Sequence, residues 1–354
     1  MTPLDQAALN SSAQAPAGGE AAPAVLSPEE SLLWACASHW HGYQLPADLG
    51  EIDWELAVKI AINNRMQILL RQTLEANDRA DLLPADAANM LQQACAKLEK
   101  ATEMLGVALG QYLSFAAKRK QEVVVLKGLW LSERIYGNKT MRPGADIDIL
   151  VREEAIPQSI AILEEDMGYG TWWRPLLDDA YYQRHHLHQQ RCNDDRSIWI
   201  ESHWRLDHPY TQLTIDFQAM MDRTRPSELW GLPLNELSPP DLLLALSVHL
   251  VKHAVYLPAV LTRPDLPRII LADGMLMYYV DVAAAIVAYQ DNMDWESVVA
   301  LAEEGGAVDI LGSVLTVCQD HLGSDIPDSV LERLPVAKPR GLNRLSMESM
   351  ADYE

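Results

Sequence analysis

Asp146-Ile147-Asp148-Ile149-Leu150-Val151 alternates acid with aliphatic over four residues and then continues as aliphatic alone. Side chains of an extended strand leave its two faces in turn, so Asp146 and Asp148 share one face while Ile147 and Ile149 enter the core behind them. Two adjacent carboxylates repel each other unless a cation lies between them. Hard oxygen ligands of this kind suit Mg²⁺ (or Mn²⁺), which takes one or two carboxylates together with the phosphates of a substrate. A half-solvated edge strand shows the same alternation, so the pair must be read with its neighbours.

Upstream, Val123-Val124-Val125-Leu126 is a short β-branched run that ends in Lys127-Gly128. A helix is expected from Leu129, and glycine at the junction lets backbone N–H groups approach a phosphate beside the helix N-terminus. Lys127 and Arg142 are then candidate phosphate ligands with Gly128. Downstream, Trp199-Ile200-Glu201-Ser202-His203 is an apolar strand pattern interrupted by an acid that is costly there unless it points into a site. Glu201 is therefore the candidate third carboxylate of a two-metal arrangement.

Around this nucleus the periodicity predicts an α+β fold, a small mixed β-sheet flanked by N- and C-terminal helical regions. Residues 1–26, rich in Ala, Pro, Gly, Ser and Gln, are expected to form a disordered leader. Residues 27–120 form an N-terminal helical region opened by the cap Ser27-Pro28-Glu29-Glu30. The core spans 121–237, with further strands expected at 169–174, 184–191 and 197–206. A helical region with a loose tail occupies 238–354.

Histidines cluster in two places. His185, His186, His188 and Cys192 fit no common zinc spacing, and His186 and His188 share a strand face that His185 does not. His249 and His253 are i, i+4 on a predicted helix, but Leu250 stands where a metalloprotease helix needs its glutamate. His186, His188, His203, His249 and His253 are candidates for a substrate cleft. Trp172, Trp173, Trp199 and Trp204 fall in the sheet region, where packing is the expected role.

Composition narrows the partners. With 28 Lys+Arg against 50 Asp+Glu the net charge is −22, a field that repels polyanions and disfavours a nucleic-acid substrate or an acidic membrane surface. Cys36, Cys95, Cys192 and Cys318 form no C-x-x-C pair, and free thiols in a reducing cytoplasm are expected. No P-loop, Rossmann glycine turn or hydrolase elbow is present.

Val125-Leu126-Lys127-Gly128, Tyr136-Gly137, Arg142, Asp146 to Val151 and Ile200-Glu201-Ser202-His203-Trp204 together resemble the uncharacterised nucleotidyltransferase family of the DNA polymerase β-like superfamily. The resemblance covers Val123 to Leu206 well and the region after Asp241 more loosely, through His249, His253 and Asp281. It implies a polymerase β-like palm, with Asp146 and Asp148 as the metal-binding pair, Glu201 as the third carboxylate and Gly128 as the phosphate-loop glycine. Two positions depart from the wider pattern: Leu129 rather than Ser follows Gly128, and Ala145 separates Gly144 from Asp146. The implied reaction transfers a nucleoside monophosphate from a nucleoside triphosphate to a hydroxyl or phosphate of a small-molecule, peptide or protein acceptor, in natural-product or peptide tailoring. Kinase-like phosphoryl transfer and a non-catalytic nucleotide-binding regulatory module are the alternatives.

Overall fold

The computed structural model of the chain describes residues 25–142, 144–171, 179–209, 211, 213–254, 261 and 263–336. The leader up to residue 24, Trp172 and Trp173, and the tail beyond 336 lie outside the described residues. The valines before Lys127 form strand β1 (Val124–Val125), and the acid-aliphatic run forms β2 (Ile147–Leu150). The two pair antiparallel, Val125 opposite Ile149. Strand β4 (Trp199–His203) lies parallel to β2 on the other side, with Asp148 opposite Glu201. Ile147, Ile149 and Ile200 are buried behind them. The alternation read from the sequence thus places apolar and acidic side chains on opposite faces of adjacent strands.

Strand β3 (His188–Cys192) pairs antiparallel with β4, and a hairpin of β5 (Arg225–Leu229) and β6 (Leu232–Glu236) joins β1 from the far side. The mixed sheet has six strands in the order β3-β4-β2-β1-β6-β5. Two expectations change. Arg184 and His185 end a helix (Asp179–His185), so β3 starts only at His188. At 169–174 the described residues contribute only a bridge from Gly170 to Cys192. The β5–β6 hairpin was not foreseen because Pro226 and Pro233 mask its strand pattern. Its turn, Trp230-Gly231, has positive φ at both residues, as a two-residue hairpin requires.

Helices enclose the sheet from both ends of the chain. The cap at Ser27 forms as expected: its Oγ accepts from Glu30 N, while Glu30 accepts from Ser27 N at 2.8 Å. It opens α1 (Pro28–Ser38), followed by α2 (Trp54–Asn63), α3 (Gln67–Ala76) and the long α4 (Ala85–Lys118), which packs on β6. A short α5 (Leu129–Arg134) follows β1. In the C-terminal region α9 (Pro239–His253), α11 (Leu276–Tyr289), α12 (Trp295–Glu304) and α13 (Val308–Leu322) pack together, while α10 (Leu266–Ala272) packs on α2; α6 (Ile156–Ala161), α7 (Asp179–His185) and α8 (Phe217–Asp222) lie within the sheet region. The two helical regions share one core: Trp34 Nε1 donates to Pro267 O, Ser38 Oγ to His321 O, and Asn64 donates to Leu271 O and accepts from Leu276 N. No single helix among the described residues is long and apolar enough to cross a membrane. The α10 and α11 pair passes jointly but bends by 111°.

One polar network ties the sheet region to α11. Arg142 Nε donates to Asp281 Oδ2 at 2.5 Å, Tyr136 Oη donates to Asp281 Oδ1 at 2.8 Å, and Ser132 Oγ bonds both the N–H and the carbonyl of Arg142. Arg142 and Asp281 are each 2 % exposed. An ion pair this deep gains little over an apolar pair, but removing one partner strands a charge. Arg142→Met is expected to lower the free energy of unfolding by about 3–5 kcal/mol in urea denaturation, and Arg142→Met/Asp281→Leu to recover most of that loss.

Candidate active site

The register of β2 against β4 sets Asp148 beside Glu201, and Asp146 precedes β2 on the same face. Carboxylate oxygens of all three lie within 4.8 Å of one another. Asp148 is 5 % exposed, Glu201 17 % and Asp146 29 %, so the cluster is sheltered yet open at Asp146. Lys127 and His203 face it. Lys127 Nζ lies 2.9 Å from Asp146 Oδ1 and 2.7 Å from Asp148 Oδ2. His203 Nε2 lies 3.1 Å from Asp148 Oδ1 and 3.2 Å from Glu201 Oε2, while its Nδ1 faces the Arg205 carbonyl at 3.2 Å.

Protonation follows from this arrangement. Burial pushes each carboxyl upward, but at Asp148 the Lys127 ammonium and the His203 hydrogen bond outweigh it and hold that group well below the usual carboxylate range. At Glu201 burial is likewise overcome, by His203 and then His188, and the group is lowered. Asp146 is raised, by burial and then by the charge of Asp148. Burial opposes the charge on Lys127 and on His203, yet the carboxylates win at both and raise them.

Gly128 joins β1 to α5 with φ 63° and ψ −116°, a combination closed to side chains with a Cβ. The hydroxyl absent at position 129 is not replaced by Ser132, whose Oγ is spent on the Arg142 backbone. Arg142 itself is directed at Asp281 and does not join the carboxylate cluster. Its guanidinium also lies 5.1 Å from the centre of the Tyr278 ring.

Helix α9 supplies the opposite wall. A cleft is lined by Leu126, Lys127, Asp148, His203, Leu206, Ala245, Leu246, His249 and Lys252. His249 and His253 stack edge to face at 4.8 Å and flank Tyr278, whose hydroxyl accepts from Arg65 Nη1 at 2.9 Å. On the other side His186, His188, His203 and His208 form a chain of ring contacts with centroids 4.7–5.2 Å apart. The histidine candidates therefore border the carboxylates from two sides. Sequence reasoning missed Lys252, Arg65 and His208. Lys252 had a signal, since it stands at i+3 from His249 on a predicted helix; His208 had a weaker one, in the loop directly after His203, and Arg65, from a distant loop, had none.

Burial lowers five of these imidazoles: His188 to about 3, His208 and His253 to about 4, His186 by a smaller amount and His249 well below the ordinary value. Below the unfolded value near 6.5 the unfolded chain takes up protons that the folded chain refuses, so stability falls with pH. His203 works the other way, adding stability below its raised value, but it stands against five. In the presence of a chelator the melting temperature is expected to fall steadily from pH 7 to pH 4. A melting temperature constant over that range would contradict neutral buried histidines.

No curated protein and no solved structure matches the chain. A family model described as an uncharacterised nucleotidyltransferase matches residues 50–323, a span that holds the whole sheet, all three carboxylates and α9. The chain belongs to the uncharacterised nucleotidyltransferase family.

Proposed function

We propose that this nucleotidyltransferase moves a nucleoside monophosphate from a nucleoside triphosphate to a hydroxyl or phosphate of a small-molecule, peptide or protein acceptor, with Asp146, Asp148 and Glu201 holding divalent metal, Mg²⁺ or Mn²⁺. The observation that carries this reading is the convergence of three carboxylates from adjacent strands, with oxygens within 4.8 Å of one another. An all-oxygen donor set fits a hard cation, and its negative charge already draws in the Lys127 ammonium and the His203 ring. When bound, such ions activate an acceptor oxygen and neutralise charge on the departing pyrophosphate.

The chain's own groups have distinct tasks. Lys127 carries three N–H donors between the carboxylates and the cleft, so it exchanges carboxylate for phosphate with little movement. Gly128 lets the backbone approach the triphosphate. Lys252 and His249 face it from α9, and Lys252 adds a second positive charge in a chain whose net charge is −22. His186, His188 and His203 border the acceptor side, and His253 supports His249. Arg142, held by Asp281, lies over the Tyr278 ring behind that wall, a positioning role rather than a phosphate contact. Catalysis on this reading is positioning and charge neutralisation. The negative field of the whole protein favours an acceptor other than nucleic acid. A tailoring role on a natural product or peptide suits such an acceptor. Cys36, Cys95, Cys192 and Cys318 are free and buried, in keeping with a reducing cytoplasm.

Incubation with Mg²⁺, each ribonucleoside triphosphate and cell extract is expected to give pyrophosphate and a nucleotide adduct visible by mass spectrometry. Asp146→Asn/Asp148→Asn should lower the yield by at least about 100-fold, the scale of losing preorganised charge stabilisation. Release of ADP instead of pyrophosphate would make the enzyme kinase-like, and nucleotide binding with neither product would make it a regulatory module. Lys252→Met should raise the Kd for nucleotide roughly tenfold or more in calorimetry, the worth of one charge-assisted hydrogen bond.

A further inference from the structure

His188 opens β3 and His203 closes β4, and the antiparallel register sets them directly opposite each other. Glu201 lies two residues before His203, so all three side chains leave the same face of the sheet. Their donor atoms lie within 4.8 Å of one another. Glu201 Oε2 is 3.2 Å from His203 Nε2 and 3.3 Å from His188 Nδ1. Donors around a tetrahedral ion with bonds of about 2.0–2.1 Å stand roughly 3.3–3.4 Å apart, so these two separations already match that geometry. His188 Nδ1 is shielded from solvent and makes no hydrogen bond. The Arg205 carbonyl opposite His203 Nδ1 fixes that ring so that Nε2 faces Glu201, the orientation that metal-binding imidazoles take from a backbone acceptor.

We propose that His188, Glu201 and His203 form a site for a transition-metal ion of the Zn²⁺ class, adjoining the all-oxygen group of Asp146 and Asp148 and sharing the Glu201 carboxylate with it. Two imidazoles and a carboxylate select such an ion over Mg²⁺ by ligand type and by the order of divalent affinities. Three protein ligands leave a fourth position for water or an acceptor oxygen. Only neutral imidazoles coordinate such an ion, so binding there is favoured at higher pH. The sequence concealed the site because its ligands come from two strands rather than one short motif. The inference rests on its own geometry and holds whichever group the enzyme transfers.

The test uses the full chain stripped with a chelator and titrated with Zn²⁺ in excess Mg²⁺, and separately with Co²⁺ as a spectroscopic probe. The wild type is expected to retain one Zn²⁺ per chain and to give the intense visible Co²⁺ bands of a tetrahedral site. His188→Ala should weaken Zn²⁺ by more than the roughly 10–100-fold that loss of an outer-shell partner costs. His188→Cys keeps a donor and should restore binding, with a new thiolate-to-Co²⁺ charge-transfer band. Asp146→Asn should retain Zn²⁺ while losing nucleotidyl transfer, which separates this site from the reading above. Zn²⁺ affinity unchanged in His188→Ala, or lost in Asp146→Asn, would overturn the proposal.

Discussion

Three carboxylates on adjacent parallel strands cannot coexist in a sheltered site without positive charge among them, and much of this structure answers that constraint. Lys127 must arrive from the end of β1 and His203 from the end of β4 to reach Asp148 from two sides. Both depend on the sheet order, since β2 lies between β1 and β4. The apolar faces of the same strands anchor the arrangement: Ile147, Ile149 and Ile200 are buried in the core and cannot slip register without exposing themselves. Charge on one face and burial on the other thus specify the same pairing.

A second buried charge pair extends this logic outward. Arg142 and Asp281 neutralise each other where the loop before β2 meets α11, and Tyr136 completes the satisfaction of the carboxylate. Tyr278, one turn from Asp281, then lies between the Arg65 and Arg142 cations and beside the α9 histidines. The helical wall of the cleft is in this way fixed to the loop that delivers Asp146. Neither part moves far without unpairing a buried charge.

The legible part of the fold was the part governed by short-range rules. The period-two alternation at Asp146 to Ile149 and the acid within Trp199 to His203 identify β2 and β4, and the conformation of Gly128 bears out a glycine at the strand end. The cap at Ser27 was legible for the same reason, because its hydrogen bonds span three residues. The β5–β6 hairpin was not, since two prolines interrupt its alternation and its place beside β1 is a tertiary fact. Arg142 shows the same limit. Its place beside the Lys127-Gly128 strand end made it a candidate phosphate ligand, but the carboxylate it meets lies 139 residues away. Lys252 reaches the cleft through the packing of α9, and Arg65, from the loop after α2, reaches Tyr278 behind it.

The union of the two helical regions also governs how the chain acquires this structure. Trp34 finds Pro267, and Ser38 finds His321, across 233 and 283 residues. Strand β1 waits for β6, more than a hundred residues downstream, before its second edge is covered. Loop closure over such distances comes late, after the local helices have formed. During synthesis the apolar face of α1, with Leu32, Leu33 and Trp34, meets α2 and α3 first, and α11 and α13 reach it only when the C-terminal region has emerged. The two helical regions therefore close over α1 in two stages, a local one with α2 and α3 and a long-range one with α11 and α13, so that only the full chain completes this part of the core.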